Sequence, residues 1–573
     1  MSYLAVCWPA NAGEPAWLRP LARAMPETWR EEARRPGLWV ATGGAWSPAI
    51  TVHGWGLIIG TLASGPGGLA GTGVDDLARA LLSEGWGAYV ALIEGEGADP
   101  WSVLRDPSGG LEAIAWTRSG ALIVSDVFPD WLAAWGPETL TIDWDGVGDV
   151  LADPALSSAA VLLSGLTGVT PGSLWSPGRG ARQLWTPAHA AQAQSLSASE
   201  LADELPRRLD VVVGRLGGDR ALIELSGGLD SAIVAASLAQ SRKAWVGAVN
   251  YFTAEAGGDE RIFARAIAER LQLEMTEAPK AGPGFDLAAF AAGADGVRPP
   301  FNALDYEHDF DMARRCQALG VDTLLTGQGG DHLFFQVPTA LIAADMLGQG
   351  LSPSVLARLA RRLGRSAWSI LAEALKARLG FEPKRARPAH LREEVWWNPQ
   401  RAIHPWLADL DHLPPAKALQ VASVANTLAL VGLSRRGQAA RLFHPLLSQP
   451  MMEACLPAPI GVLTGGGSDR ALARQAFADR LPAPVVGRLG KGKLTSHYGR
   501  AIAAGLPQLR PLLLEGRLVQ KGLLDTTALA AMLTQEHLAI SGGFGVVLSL
   551  AGVELWARHW EGRIGGGPSV PNA

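Results

Sequence analysis

The chain has 573 residues, 48% of them hydrophobic and 18% charged. That composition excludes a disordered chain and leaves room for about two or three domains. The 50 basic and 55 acidic residues nearly balance, which excludes a protein built chiefly to grip a nucleic-acid backbone.

The first residues, MSYLAVCWPANAGEP, lack a basic region followed by a long apolar core, so no signal peptide is expected. Residues 1–190 carry short apolar runs (LAVCW, LWVAT, ITVHGWGLII, AYVALIEG, LEAIAWT, ALIVSDVF) separated by Gly, Pro and Asp, with helical patterns at Trp17–Met25 and Val74–Ser83. This predicts an α+β sandwich. None of the runs reaches the roughly 18 apolar residues of a membrane span. The texture changes near 186–200. There Ser197, with Glu200 three residues on, reads as a capping box before the helix LADELPRRLDVVVGRL, and a domain boundary is placed there.

From Ala221 strands and helices alternate. The strand ALIEL, interrupted by Glu224, leads through SGGLDS into the helix SAIVAASLAQ. The strand AWVGAVNYF and the helix DERIFARAIAERLQ follow, and a helix near Asp309–Leu319 precedes the strand VDTLLTG. Such alternation predicts a parallel sheet covered on both faces, so the chain as a whole is α/β. Residues 340–560 read as mostly helical, a second domain spans 200–563, and 564–573 read as a flexible tail. Asp305, Glu307, Asp309 and Asp311 read as a helix start rather than a metal site. The three cysteines, Cys7, Cys316 and Cys455, are far apart and form no CxxC pair, which points away from disulfides and zinc and towards a reducing, cytoplasmic compartment. Only eight lysines occur, none before Lys243, a bias typical of GC-rich genomes. Two of them, Lys491 and Lys493, stand two residues apart in GRLGKGK.

Ser226-Gly227-Gly228-Leu229-Asp230-Ser231 has the chemistry of an anion cradle. Two glycines let the backbone turn tightly and approach a ligand, and amides, hydroxyls and a helix N-terminus supply donors. Asp230 beside such a site calls for a cation, and magnesium suits it. No GK[ST] follows, so this is not a Walker A loop. The hexapeptide resembles the pyrophosphate loop of ATP pyrophosphatases, and Thr326-Gly327-Gln328-Gly329-Gly330-Asp331-His332 resembles the asparagine-synthetase pattern [ST]GxG[SAG]DE, with His332 where the pattern has Glu. Asp259-Glu260 matches that family's DE pair, or equally a solvated helix start.

The resemblance implies a PP-loop sheet. It implies ATP held by Leu225, Ser226, Gly227, Gly228, Asp230, Ser231, Asn250, Thr326, Gly327 and Lys491, and Mg²⁺ held by Asp230 and Asp331. Lys491 matches the family's RxxKG loop, with Arg488 beside it, and is preferred over Lys493 as the catalytic lysine. Arg441 and His444 resemble a segment beside the acceptor site, where a substrate contact and a buried pair are equal readings. Upstream, RDPSGGLEAIAW resembles the glutaminase turn, implying an Ntn-glutaminase-like fold. Ser2 stands where a glutaminase needs cysteine, so ammonia production is not expected and the amine must come from the substrate. Gln328, where β-lactam synthetases carry a tyrosine base, cannot take a proton. The closest resemblance is therefore to lasso-peptide cyclases, which adenylate an Asp or Glu side chain of a precursor peptide for attack by its N-terminal amine. That implies a precursor core peptide, a leader peptidase and a leader-recognition protein as partners. The alternatives are a small-molecule asparagine- or β-lactam-synthetase-like ligase, and a nucleotide-binding scaffold.

Overall fold

Alternating side chains build the amino-terminal region as two antiparallel six-stranded sheets in this computed structural model. Residues 2–44, 46–64, 73–95, 100–241, 245–253, 258–280, 282, 284–348, 350–380, 402–432, 434–488, 490, 492, 495–541 and 543–565 are described. The first sheet runs Thr167–Gly168, Ile114–Arg118, Ala121–Ser125, Ser2–Cys7, Leu38–Gly43, Trp29–Arg35. The second runs Gly180–Gln183, Ser173–Ser176, Trp101–Arg105, Trp86–Glu94, Gly56–Ser64, Ile50–His53. Tyr3, Ala5 and Val40 of the first meet Leu57, Ile59, Val90 and Val103 of the second in a shared core.

Both outer faces are covered as well. Leu4, Val6 and Trp39 pack with Ile502, Leu509 and Trp556 from the helices Thr495–Leu514 and Phe544–Gly565. Ile58, Tyr89 and Ala91 pack with the helices Val74–Ser83 and Ala198–Leu216. Strands with two covered faces read as continuous apolar runs, as Leu38–Gly43 does.

Two sequence expectations are corrected in detail, and one strand is added. ITVHGWGLII is two strands, Ile50–His53 and Gly56–Ser64, folded at Gly54-Trp55. WREEARR, absent from the expected strands, is an edge strand whose Arg34 pairs with Glu31 at 2.9 Å. The last helix continues to Gly565, two residues into the expected tail, and the rest of the tail lies outside the described residues.

The capping box forms as read: Glu200 N donates to Ser197 Oγ at 3.3 Å, and Ser197 N to Glu200 Oε2 at 2.9 Å. Beyond that helix lies a wholly parallel sheet in the order Met275–Pro279, Trp245–Phe252, Ala221–Glu224, Thr323–Leu325, Arg441–Phe443. The order reverses between Ala221–Glu224 and Thr323–Leu325, which makes the carboxyl ends of those two strands the expected ligand crevice. The outer strands escaped the sequence reading because MTEAP is polar and RLF has only three residues. Among the described residues no helix is long and apolar enough to cross a membrane.

Candidate active site

The first strand leads into its loop through a fixed exit. Leu225 N donates to Val249 O at 2.9 Å, and Asn250 Nδ2 donates to Leu225 O at 2.7 Å. Gly227 then adopts φ +80°, where a Cβ would stand 2.8 Å from the Glu260 carbonyl oxygen, so glycine is required there. The Ser226 and Ser231 hydroxyls meet at 3.1 Å across the turn. The helix Leu229–Gln240 starts at Gly228 with no side-chain cap, which leaves its amino end to an anion.

The second loop presses against the first. A Cβ on Gly327 would lie 2.3 Å from Ser231 N, and one on Gly330 would lie 2.6 Å from Asp230 Oδ1. Thr326 Oγ1 accepts Gln328 N at 3.1 Å and shares a 2.7 Å hydrogen bond with His444 Nδ1. Burial, reinforced by the Arg436 guanidinium, pushes the His444 ring down to about 4, so it supports the loop as neutral imidazole. Gln328 Nε2 is buried and makes no hydrogen bond among the described residues.

Asp230 meets Arg470, whose Nη1 stands 2.5 Å from Asp230 Oδ2. Arg470 also holds Asp469 at 2.9 Å, and Arg474 holds Asp469 at 2.7 Å. Burial opposes the charge on Arg470, but the fields of Asp230, Asp469 and Asp331 outweigh it and keep the guanidinium cationic. Asp230 and Asp331 therefore face one positive charge from neighbouring loops. Their hard carboxylate oxygens suit magnesium, which takes one or two carboxylates and completes its shell with phosphates and water. Among the described residues no group of three or more His, Cys, Asp or Glu assembles into a metal site.

Beneath the loops, Glu224 pairs with Arg436 at 2.9 Å and with His308 at 3.8 Å. Burial raises the Glu224 carboxyl, but Arg436 and then His308 bring it below its ordinary value. Asp305 caps the helix Tyr306–Leu319, which begins three residues before the expected Asp309, and also takes Lys280 and the Tyr498 hydroxyl, the latter at 2.6 Å. Asp309 accepts Arg435 N at 2.8 Å, and Asp311 accepts the Tyr251 hydroxyl at 2.7 Å, so this acidic cluster is spent on helix starting and ion pairs. Ser226, Val249, Tyr251, Glu260, Lys280, Asp305 and Tyr498 border a cavity of about 210 Å3 beside the phosphate loop.

The sequence profile described as "Asparagine synthase" matches residues 212–558, a stretch that holds both loops, Arg470 and Arg488. The chain belongs to the asparagine synthase family. It is an ATP-dependent ligase that forms amide bonds, in a family that uses ATP and usually Mg²⁺. No curated protein matches the chain. A solved structure, described as the allosteric regulatory enzyme of purine biosynthesis, matches 50% of this chain and 76% of its own at 11% identity. Its TM-score of 0.18 is too low to bear on function.

Within this asparagine synthase chain, Leu225, Ser226, Gly227, Gly228, Asp230, Ser231, Asn250, Thr326, Gly327, Gln328, Asp331 and His444 converge on the crevice. Arg441 does not. It pairs with Thr323 at the amino end of the sheet and donates to Leu216 O and to Thr323 Oγ1, the latter at 3.1 Å, so it ties strands together on the far side. Lys491 and Lys493 lie outside the described residues. Their neighbour Arg488 reaches Glu260 at 2.5 Å and stacks on Phe263 at 4.0 Å. Asp259 instead pairs with Arg261 at 2.6 Å, so the two members of the DE pair divide: Glu260 is buried and Asp259 is half-buried. The sequence reading missed Arg470, Asp469, Arg436, Lys280 and Tyr498. One signal was present, since a carboxylate inside the apolar strand ALIEL demands a cationic partner.

Proposed function

We propose that this chain is a lasso-peptide cyclase, a cytoplasmic ligase without glutaminase activity that closes a macrolactam on a precursor peptide. The carrying observation is the state of the cysteines. Cys7, Cys316 and Cys455 are all buried. Burial pushes the Cys7 thiol far above its ordinary value, and those of Cys316 and Cys455 up to about 12. None of them is a thiolate that could release ammonia from glutamine. The amine that attacks the activated carboxylate is then the substrate's own. A peptide α-amine has a reference pKa near 8 and needs no strong base, which agrees with Gln328 at the second loop.

The substrate's Asp or Glu carboxylate attacks the α-phosphorus of ATP and pyrophosphate leaves, giving an acyl-adenylate. The N-terminal amine attacks the acyl carbon, AMP leaves and the amine proton passes to water. The Ser226 and Ser231 hydroxyls, the amides of the glycine turn and the open helix end receive the departing phosphates. Asp230 and Asp331 would hold magnesium, whose charge offsets that of the phosphates. Arg488 and, by the family resemblance, Lys491 would stabilise the charged states around phosphorus and the acyl carbon. Holding the peptide folded turns ring closure into a positioned intramolecular step. A leader peptidase and a leader-recognition protein would supply the free N-terminus.

Incubation with MgATP and candidate substrates tests this. A processed precursor peptide is expected to lose one water while AMP and pyrophosphate appear in equal amounts. AMP formation with free aspartate and ammonia, and none with any peptide, would reverse the assignment.

A further inference from the structure

We infer that Glu260 is a positioning residue that holds Arg488 against the phosphate loop, so that Arg488 Nη1 donates to a phosphate oxygen of the bound nucleotide. Glu260 stands at the start of the helix Arg261–Leu271 but spends no side-chain oxygen on capping it. The residue is 7% exposed, and its carboxylate is turned inward. There Oε1 accepts Arg488 Nη2 at 2.5 Å and also the Gly492 amide. The same residue's carbonyl oxygen is what a Cβ on Gly227 would strike at 2.8 Å. The main chain of Glu260 thus backs the glycine turn while its side chain fixes the arginine.

Phe263, one turn on, fixes the guanidinium plane by stacking at 4.0 Å. Nη2 and the plane of the guanidinium are thereby set, and Nη1 is buried with no hydrogen-bond partner among the described residues. A buried guanidinium N–H without an acceptor is costly, and a ligand that supplies the acceptor removes that cost. Glu260 and Gly492, which lie beside Arg488, border the cavity next to the phosphate loop together with Ser226, and the acceptor assigned to Nη1 is a nucleotide phosphate seated there. Asp259, one residue earlier, faces away towards Arg261 and takes no part.

The inference rests on ATP binding at this loop, and the test separates the two. Titration calorimetry of the full chain with magnesium α,β-methylene-ATP gives the affinity. Glu260→Gln, which keeps the shape and removes the charge, is expected to weaken binding about tenfold, as is Arg488→Lys, which loses the planar fork. The double variant is expected to bind no more weakly than either single one, with Asp259→Asn unchanged and unfolding midpoints near wild type. Wild-type affinity in Glu260→Gln, or a double variant weakened by the product of the two single effects, would overturn the positioning role. If Glu260→Gln fails to fold, unchanged affinity in Arg488→Lys overturns it instead. A wild type that does not bind the nucleotide would overturn the ATP-site reading beneath it.

Discussion

Arg470 lies at the centre of the site at the scale of single residues. Its positive charge is sustained by the fields of Asp230, Asp469 and Asp331. Arg470→Met would remove the buried ion pair with Asp230 and leave Asp469 to Arg474, and is expected to cost about 3 kcal/mol of unfolding stability in urea titrations. A loss within about 0.5 kcal/mol of zero would contradict the ion-pair account. His444 gives a pH-dependent prediction. Its ring is held down to about 4 in the folded chain, against an ordinary value of 6.5. Between those values the unfolded chain takes up a proton that the folded chain refuses. Stability therefore falls as the pH drops from 6.5 towards 4, and this loss ends below 4. Denaturant titrations at pH 7 and pH 5 are expected to show a loss about 2 kcal/mol smaller in His444→Gln than in wild type. Equal losses would contradict it. The residues legible in the sequence were those whose chemistry is local, such as Ser226 to Ser231. Arg436 and Arg470 were not legible, because their partners Glu224 and Asp230 lie 212 and 240 residues away.

At the scale of elements, the two loops work only because glycines let them touch. Gly327→Ala would place a methyl group 2.3 Å from Ser231 N and push the loops apart. It is expected to lower pyrophosphate release at least a hundredfold, on the order of 3 kcal/mol of lost positioning. Gly487→Ala, with nothing within 4 Å, is expected to leave the rate unchanged. Comparable rates in the two variants would mean that loop contact is unimportant. The helix Ala198–Leu216 offers an energetic counterpart: Ser197→Ala removes its capping box and is expected to cost about 1 kcal/mol in thermal or urea unfolding. That helix was legible because cap and apolar spacing agree. The strand Trp29–Arg35 was hidden because exposed charges on an edge carry no apolar period.

At the scale of the whole molecule, the sandwich is not a free-standing module. Its first sheet is roofed by the carboxy-terminal helices, its second by the helix that leads to the phosphate loop. Arg298 reinforces this by reaching from beyond the parallel sheet's third strand to Glu112, at 2.6 Å, inside the amino-terminal region. A fragment ending at residue 190 would expose both outer faces and is expected to aggregate or bind hydrophobic dye, whereas a soluble fragment with native-like circular dichroism would show that the roofs are dispensable. None of this was legible in the sequence, which carries the period of each strand but not what covers its second face. The central claim is that the crevice between the two loops activates a carboxylate with ATP. Following heavy-isotope oxygen from the substrate carboxylate tests it most directly. The account predicts one labelled oxygen in the phosphate of AMP at each turnover; label that stays wholly in the product or leaves in water would contradict it.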